Sequence, residues 1–134
     1  MPAPFSGGCR CGAVRYACSV APIAVLHCHC RDCQYASGGA FATVVLVPGA
    51  ALRIEQGELR EFAVQGESGG TVSRRFCSTC GTPVLSGIDG GMLALKAGTL
   101  DDPSWLAPAL EIWTDSAQPW APRAAGLAQR PRNP

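Results

Sequence analysis

Cys28-His29-Cys30-Arg31-Asp32-Cys33, read with Gly8-Cys9-Arg10-Cys11-Gly12 before it and Cys77-Ser78-Thr79-Cys80-Gly81 after it, decides the fold of this chain. These three clusters take all but one of its 8 cysteines. One or two intervening residues let both sulfurs of a knuckle turn onto a single ion, whereas so short a loop strains a disulfide. The spacing therefore predicts metal ligands, zinc above all, in preference to a disulfide framework. Cys9, Cys11, Cys77 and Cys80 supply the four thiolates of a closed tetrahedral site, and Cys28, Cys30 and Cys33 form a tripod with one position left for water or substrate. The count suggests two zinc ions per chain, one structural and one catalytic.

The rest of the composition narrows the class. The opening Met1-Pro2-Ala3-Pro4 has neither a basic start nor an apolar stretch behind it, so the expectation is a cytoplasmic chain whose thiols stay reduced. A net charge of +1 and dispersed arginines argue against a nucleic-acid partner. No apolar run is long enough for a membrane span, so a soluble protein is expected. With 134 residues the chain builds one modest core, and a closed metal site then contributes to folding itself. The oligomeric state is left open, a homodimer being one alternative.

Short β-favouring stretches alternate with Gly, Pro, Asp and Ser clusters. The apolar runs are Ala13 to Tyr16, Ile23 to Leu26, Ala40 to Val47, Leu52 to Ile54, Leu59 to Ala63, Thr71 to Phe76, Met92 to Ala97 and Leu110 to Thr114. Ser37-Gly38-Gly39, Val47-Pro48-Gly49, Glu67-Ser68-Gly69-Gly70 and Asp89-Gly90-Gly91 punctuate them. This predicts an all-β fold of antiparallel sheets, with single helical turns over Arg31 to Ala36 and over Asp101-Asp102-Pro103-Ser104-Trp105. Residues 1–122 form the zinc-binding domain, and the polar 123–134 reads as a flexible tail. Cys9-x-Cys11 and Cys77-x-x-Cys80 are distant in sequence, so sharing one ion ties two parts of the β core together.

The segments Gly8-Cys9-Arg10-Cys11-Gly12, Cys28-His29-Cys30-Arg31-Asp32-Cys33, Ser37-Gly38-Gly39-Ala40-Phe41, Arg75-Phe76-Cys77-Ser78-Thr79-Cys80-Gly81-Thr82 and Ala97-Gly98-Thr99-Leu100-Asp101-Asp102-Pro103 resemble the glutathione-dependent formaldehyde-activating enzyme family. That family also contains centromere-protein-V-like proteins. The resemblance runs from about Gly7 to Trp120 and implies the zinc-binding, all-β Mss4-like fold. It further implies a structural zinc on Cys9, Cys11, Cys77 and Cys80 and a catalytic zinc on Cys28, Cys30 and Cys33. The implied activity is carbon-sulfur lyase chemistry, the condensation of formaldehyde with glutathione to S-hydroxymethylglutathione. The expected partners are accordingly a small thiol and an aldehyde.

The residues make that chemistry intelligible. A thiol entering an open zinc position loses its proton, and the thiolate adds to a carbonyl. Three anionic ligands make the ion a poor Lewis acid, which favours thiolate delivery over carbonyl polarisation. Other residues have competing readings. Gly38 and Gly39 are either amide donors to a substrate or a plain turn. His29 reads as a surface or hydrogen-bonding group, His27 as the better transient fourth ligand, and Cys18 as core filler rather than a ligand. Arg31, Arg74 and Arg75 are candidates to receive substrate carboxylates, and Trp105, Trp113 and Trp120 either close the core or rim a pocket.

Glu111 stands where the family usually has His or another polar residue; near the pocket it repels a glutathione carboxylate and favours a different small thiol or aldehyde. The alternative to an enzyme is a zinc-stabilised binding or chaperone module, favoured if Cys18 or another side chain closes the second site. A methionine sulfoxide reductase needs a late nucleophilic cysteine, and the last here, Cys80, already belongs to a knuckle.

Overall fold

The computed structural model describes residues 3–66 and 69–134; Met1, Pro2, Glu67 and Ser68, and with them part of one expected turn and of the chain start, lie outside it. Among the described residues eleven strands and one α-helix follow in order, with four short 3-10 turns between them: β1 (Phe5–Gly8), β2 (Arg15–Cys18), β3 (Ala24–Cys28), α1 (Arg31–Ser37), β4 (Ala42–Pro48), β5 (Leu52–Gln56), β6 (Leu59–Gln65), β7 (Thr71–Cys77), β8 (Pro83–Gly87), β9 (Met92–Lys96), β10 (Leu110–Ile112) and β11 (Ala128–Gln129). They form a three-stranded sheet, β1-β2-β5, and an eight-stranded sheet, β11-β10-β3-β4-β9-β8-β7-β6. The protein is all-β, as expected.

The centre of the larger sheet shows why. In β4, Ala-Thr-Val-Val-Leu-Val-Pro combines β-branched residues with burial on both faces. The period-2 alternation sends its residues into two different cores. Val45 pairs across the strands with Val25 and Leu95, and Leu95 with Leu85. That row packs with Tyr16, Cys18, Val47 and Val84 into the core shared with the smaller sheet. On the opposite face Val44, beside Leu26, joins Ala42, Cys28, Cys33, Ala94 and Ile112 in a second cluster.

Three expectations change. The sheet is not wholly antiparallel, because β10 runs parallel to both β3 and β11. Asp101 to Trp105 is not a helical turn. The Asp102 carboxylate accepts from Ser104 N and Oγ (3.0 and 2.6 Å), Leu106 N donates to Pro103 O, and Pro108 forbids a helical residue before it. Asp101 instead faces Arg15 Nη1 (2.8 Å) and Ser6 Oγ (2.7 Å), fastening this loop to the smaller sheet; those bonds hold its carboxyl down at about 2.

The third change concerns 123–134, expected as a flexible tail. It adds β11 to the sheet edge, and Arg132 O and Arg130 O accept from Trp113 N and Thr114 N. Asn133 Oδ1 accepts from Trp113 Nε1 at 3.0 Å, and the Arg132 guanidinium lies 5.1 Å from the Trp113 ring. The exposed edge of β10 offers unpaired backbone groups, and a polar segment with little to bury satisfies them.

Candidate functional site

Two sulfur groups form, one against each of the two core clusters. Cys9 and Cys11 sit in the turn between β1 and β2, Cys77 is the last residue of β7, and Cys80 lies in the turn between β7 and β8. All four sulfurs lie within 4.8 Å of one another, with Cys9–Cys11 at 3.6 Å and Cys11–Cys77 at 3.9 Å. With zinc–sulfur bonds of about 2.3 Å, tetrahedral neighbours stand about 3.8 Å apart, so this group fits zinc and is far too open for disulfides. The knuckles close on glycines in the left-handed region, Gly12 (φ 83°) and Gly81 (φ 79°), where a side chain is strained. Backbone amides point at the sulfurs, Val14 N to Cys9 at 3.2 Å and Thr79 N to Cys77 at 3.3 Å, which favours thiolates. Bonds from Thr82 bring Cys80 down to about 5. The group bridges the two sheets.

The second group is Cys28, the last residue of β3, with Cys30 and Cys33, again within 4.8 Å of one another. Cys30 caps α1, its sulfur accepting from Cys33 N at 3.3 Å, so the helix start itself sets the tripod. Hydrogen bonds shared with Cys28 and Cys30, and the charges of Lys96 and Arg74, hold the Cys33 thiol down at about 2. The same sharing, with burial, pushes Cys28 up. The group is built to carry negative charge, and three convergent sulfurs beside such cations suit a metal ion. No fourth side chain joins it among the described residues.

The tripod opens onto a 320 Å³ cavity on the face of the larger sheet away from the shared core, walled by Leu26, Val44, Ala94, Ile112 and Trp113. Arg74 and Lys96 are its basic residues and Thr71 and Ser86 its hydroxyl residues, with Asp32 and Asp89 also on the lining. Burial lowers the Lys96 ammonium, partly offset by Cys33. Trp113 reaches this wall with φ 57°, a conformation that bulky residues adopt at a cost and that the bonds from 130–133 hold in place. The tail thus contributes Asn133 and Pro134 to the cavity, which no sequence pattern signalled.

Several single-residue readings are corrected. Glu111 does not line the cavity: register places it and His27 on the other face, opposite each other across β10 and β3. Glu111 is fully buried and accepts from His29 Nε2 at 2.8 Å and Arg123 Nε at 3.2 Å. Burial raises its carboxyl, and the bonds from His29 and Arg123 outweigh that and leave it below the ordinary value. It therefore answers internal donors and is in no position to repel a substrate carboxylate. His29 is not a surface group but 0% exposed, and its other reading, a hydrogen-bonding group, holds: an ionised Glu111 only accepts, so Nε2 is the donor. Gln34 Nε2 also donates to His29 O, at 2.7 Å.

His27 stays away from the tripod, Nδ1 bonded to Thr43 Oγ1 at 2.8 Å and the ring against Phe41. Gly38 is the left-handed cap of α1, and neither it nor Gly39 reaches the cavity. Cys18 is core filler, 0% exposed in the cluster between the sheets. Of the three arginines only Arg74 lines the cavity; Arg31 lies over Tyr35, and Arg75 bonds to Ser73. Trp105 packs edge-on against Phe5 at 5.6 Å, and Trp120 is 67% exposed.

No helix among the described residues is long and apolar enough to cross a membrane. No curated protein matches the chain. A crystal structure of a Rhodobacter sphaeroides protein resembles it with a TM-score of 0.60 and 19% sequence identity, over 78% of this chain and 92% of the other, a likeness of fold alone. The profile described as glutathione-dependent formaldehyde-activating enzyme matches residues 4–116. A match over most of the chain makes this protein a member of the glutathione-dependent formaldehyde-activating enzyme family.

Proposed function

We propose that the chain joins a small thiol to an aldehyde such as formaldehyde, or cleaves the adduct, at the Cys28, Cys30 and Cys33 group, while zinc on Cys9, Cys11, Cys77 and Cys80 holds the two sheets together. The observation that carries this reading is the placement of the three-sulfur group on the cavity and of the four-sulfur group off it. Cys28, Cys30 and Cys33 would hold the zinc, which when bound would keep a substrate sulfur as thiolate.

The chain's own residues do the rest. The apolar walls exclude water and hold thiol and aldehyde in contact. In the forward direction a carbon–sulfur bond forms as the carbonyl π pair moves to oxygen. The proton lost by the thiol ends on that oxygen, giving a hydroxymethyl thioether from formaldehyde. Lys96, one of the cations on the cavity lining, is our candidate to stabilise the developing alkoxide. His29, held by Glu111 and Gln34, fixes the backbone between Cys28 and Cys30. The binding-module alternative needed a fourth protein ligand, and Cys18, its named candidate, sits in the other core. A reducing cytoplasm suits eight free cysteines.

Cobalt substitution tests the proposal, since each added thiolate raises the cobalt charge-transfer band. Glutathione, cysteine and other small thiols are titrated into the parent and into Cys33→Ser, with formaldehyde adduct formation followed alongside. A band increase in the parent alone, with acceleration over the uncatalysed rate, is the expected result. Neither response to any thiol removes the catalytic reading.

A further inference from the structure

Arg74, Ser86, Ala94 and Leu46 form one row across the larger sheet, each facing the next on the neighbouring strand. All four side chains line the cavity. Ser86 is 3% exposed, yet its Oγ and the Nε of Arg74 are buried without a hydrogen-bond partner among the described residues. Lys96, two residues from Ala94 on the same face of β9, has no carboxylate partner among them either. The acidic residues on the lining, Asp32 and Asp89, form no ion pair with these cations. A buried guanidinium donor and a buried hydroxyl left unsatisfied are costly, and an anion with two acceptor oxygens, drawn to this cavity wall by the ammonium beside them, would supply both partners.

We infer that Arg74 and Ser86, flanked by Lys96, form a carboxylate subsite, so that one of the two reactants carries a carboxylate close to its reacting atom. This rests on the tripod being the reaction site and adds the substrate class: a short mercapto acid or a short oxo acid. The subsite shares one sheet face and one cavity with Cys28 and Cys33, which suits a compact acid whose charge and reacting atom are a few bonds apart. Arg74 reads the carboxylate through its planar fork, and Ser86 donates its hydroxyl to the second oxygen.

The test uses the zinc-loaded full chain and calorimetric titration with 3-mercaptopropionate, its methyl ester, and propionate. The acid should bind at least tenfold more tightly than the ester. Arg74→Gln should erase that ratio with ester binding unchanged within twofold, and Ser86→Ala should reduce it severalfold. Propionate, which has no thiol, should bind the parent and not Arg74→Gln. Faster turnover of the mercapto acid with formaldehyde assigns the carboxylate to the thiol; faster turnover of the ester with glyoxylate assigns it to the aldehyde. If propionate binds as expected while no thiol changes the cobalt band, the subsite stands and the thiol chemistry falls. Acid and ester binding alike in the parent overturns the subsite and leaves that chemistry untouched. A ratio retained in Arg74→Gln, with zinc content reduced instead, also overturns it, since these cations then only balance the thiolates.

Discussion

Replacing Glu111 by Ala should destabilise the protein by about 3 kcal/mol, because it removes the charged acceptor of a buried N–H and leaves that donor unpaired. Glu111 and His29 are both 0% exposed and joined at 2.8 Å, so the variant strands a buried N–H, a loss of about 2 kcal/mol for a hydrogen bond to a charged group. Arg123, 34% exposed, contributes at most about 0.5 kcal/mol once solvent screening is counted. Removing the Cγ methylene adds about 0.8 kcal/mol. With an unfolding entropy of about 2.1 cal/mol/K per residue over 134 residues, the melting temperature should fall by about 10 °C. Glu111→Gln keeps an acceptor for His29 and should lose about 1 kcal/mol, or 3 to 4 °C.

The folded-state value of Glu111 is depressed, so its contribution is full above the unfolded value of about 4.3 and fades as pH falls through the folded one. The gap between parent and Glu111→Gln therefore closes on the acid side. Scanning calorimetry at fixed excess zinc reads these shifts, since free metal itself moves the midpoint. Glu111→Ala melting within 2 °C of the parent refutes the reasoning.

Removing a ligand from the group that bridges the sheets should be worse than removing one from the tripod: Cys77→Ser is expected to be insoluble or molten, and Cys30→Ser folded with less zinc, as circular dichroism and metal analysis will report. Equal melting of both with the parent contradicts the division of roles. A graded chelator titration should release zinc in two steps, the three-ligand site first, and Cys28→Ser should lack only the early step; a single release speaks for two closed sites. Truncation after Gln129 removes the partners of Trp113 N and Nε1, and should lower the melting temperature by several degrees and change the tryptophan emission of Trp113; unchanged emission argues against the docked tail.

The cysteine spacings and the β-rich runs between Gly and Pro clusters are local properties, and they sufficed for the all-β class, the two sulfur groups and the α1 turn. Knuckle geometry is set within a few residues, so it survives translation from sequence to space. Chain pairing beyond that is decided by partners far away in sequence. β1 and β8 went unread because Phe-Ser-Gly-Gly and Pro-Val-Leu-Ser-Gly have weak strand patterns and are held by their neighbours. Cys18, His27 and Glu111 could be weighed only by type until register showed which sheet face each occupies, and a one-residue shift would reverse every assignment. His29 stayed between a surface and a hydrogen-bonding reading because its partner, Glu111, is 82 positions away. The Arg74–Ser86 row, the strained Trp113 and the docked 123–134 segment exist only once distant strands lie side by side. The local sequence determined what the metal groups are made of; the tertiary structure decided which of them faces a cavity and what else faces it.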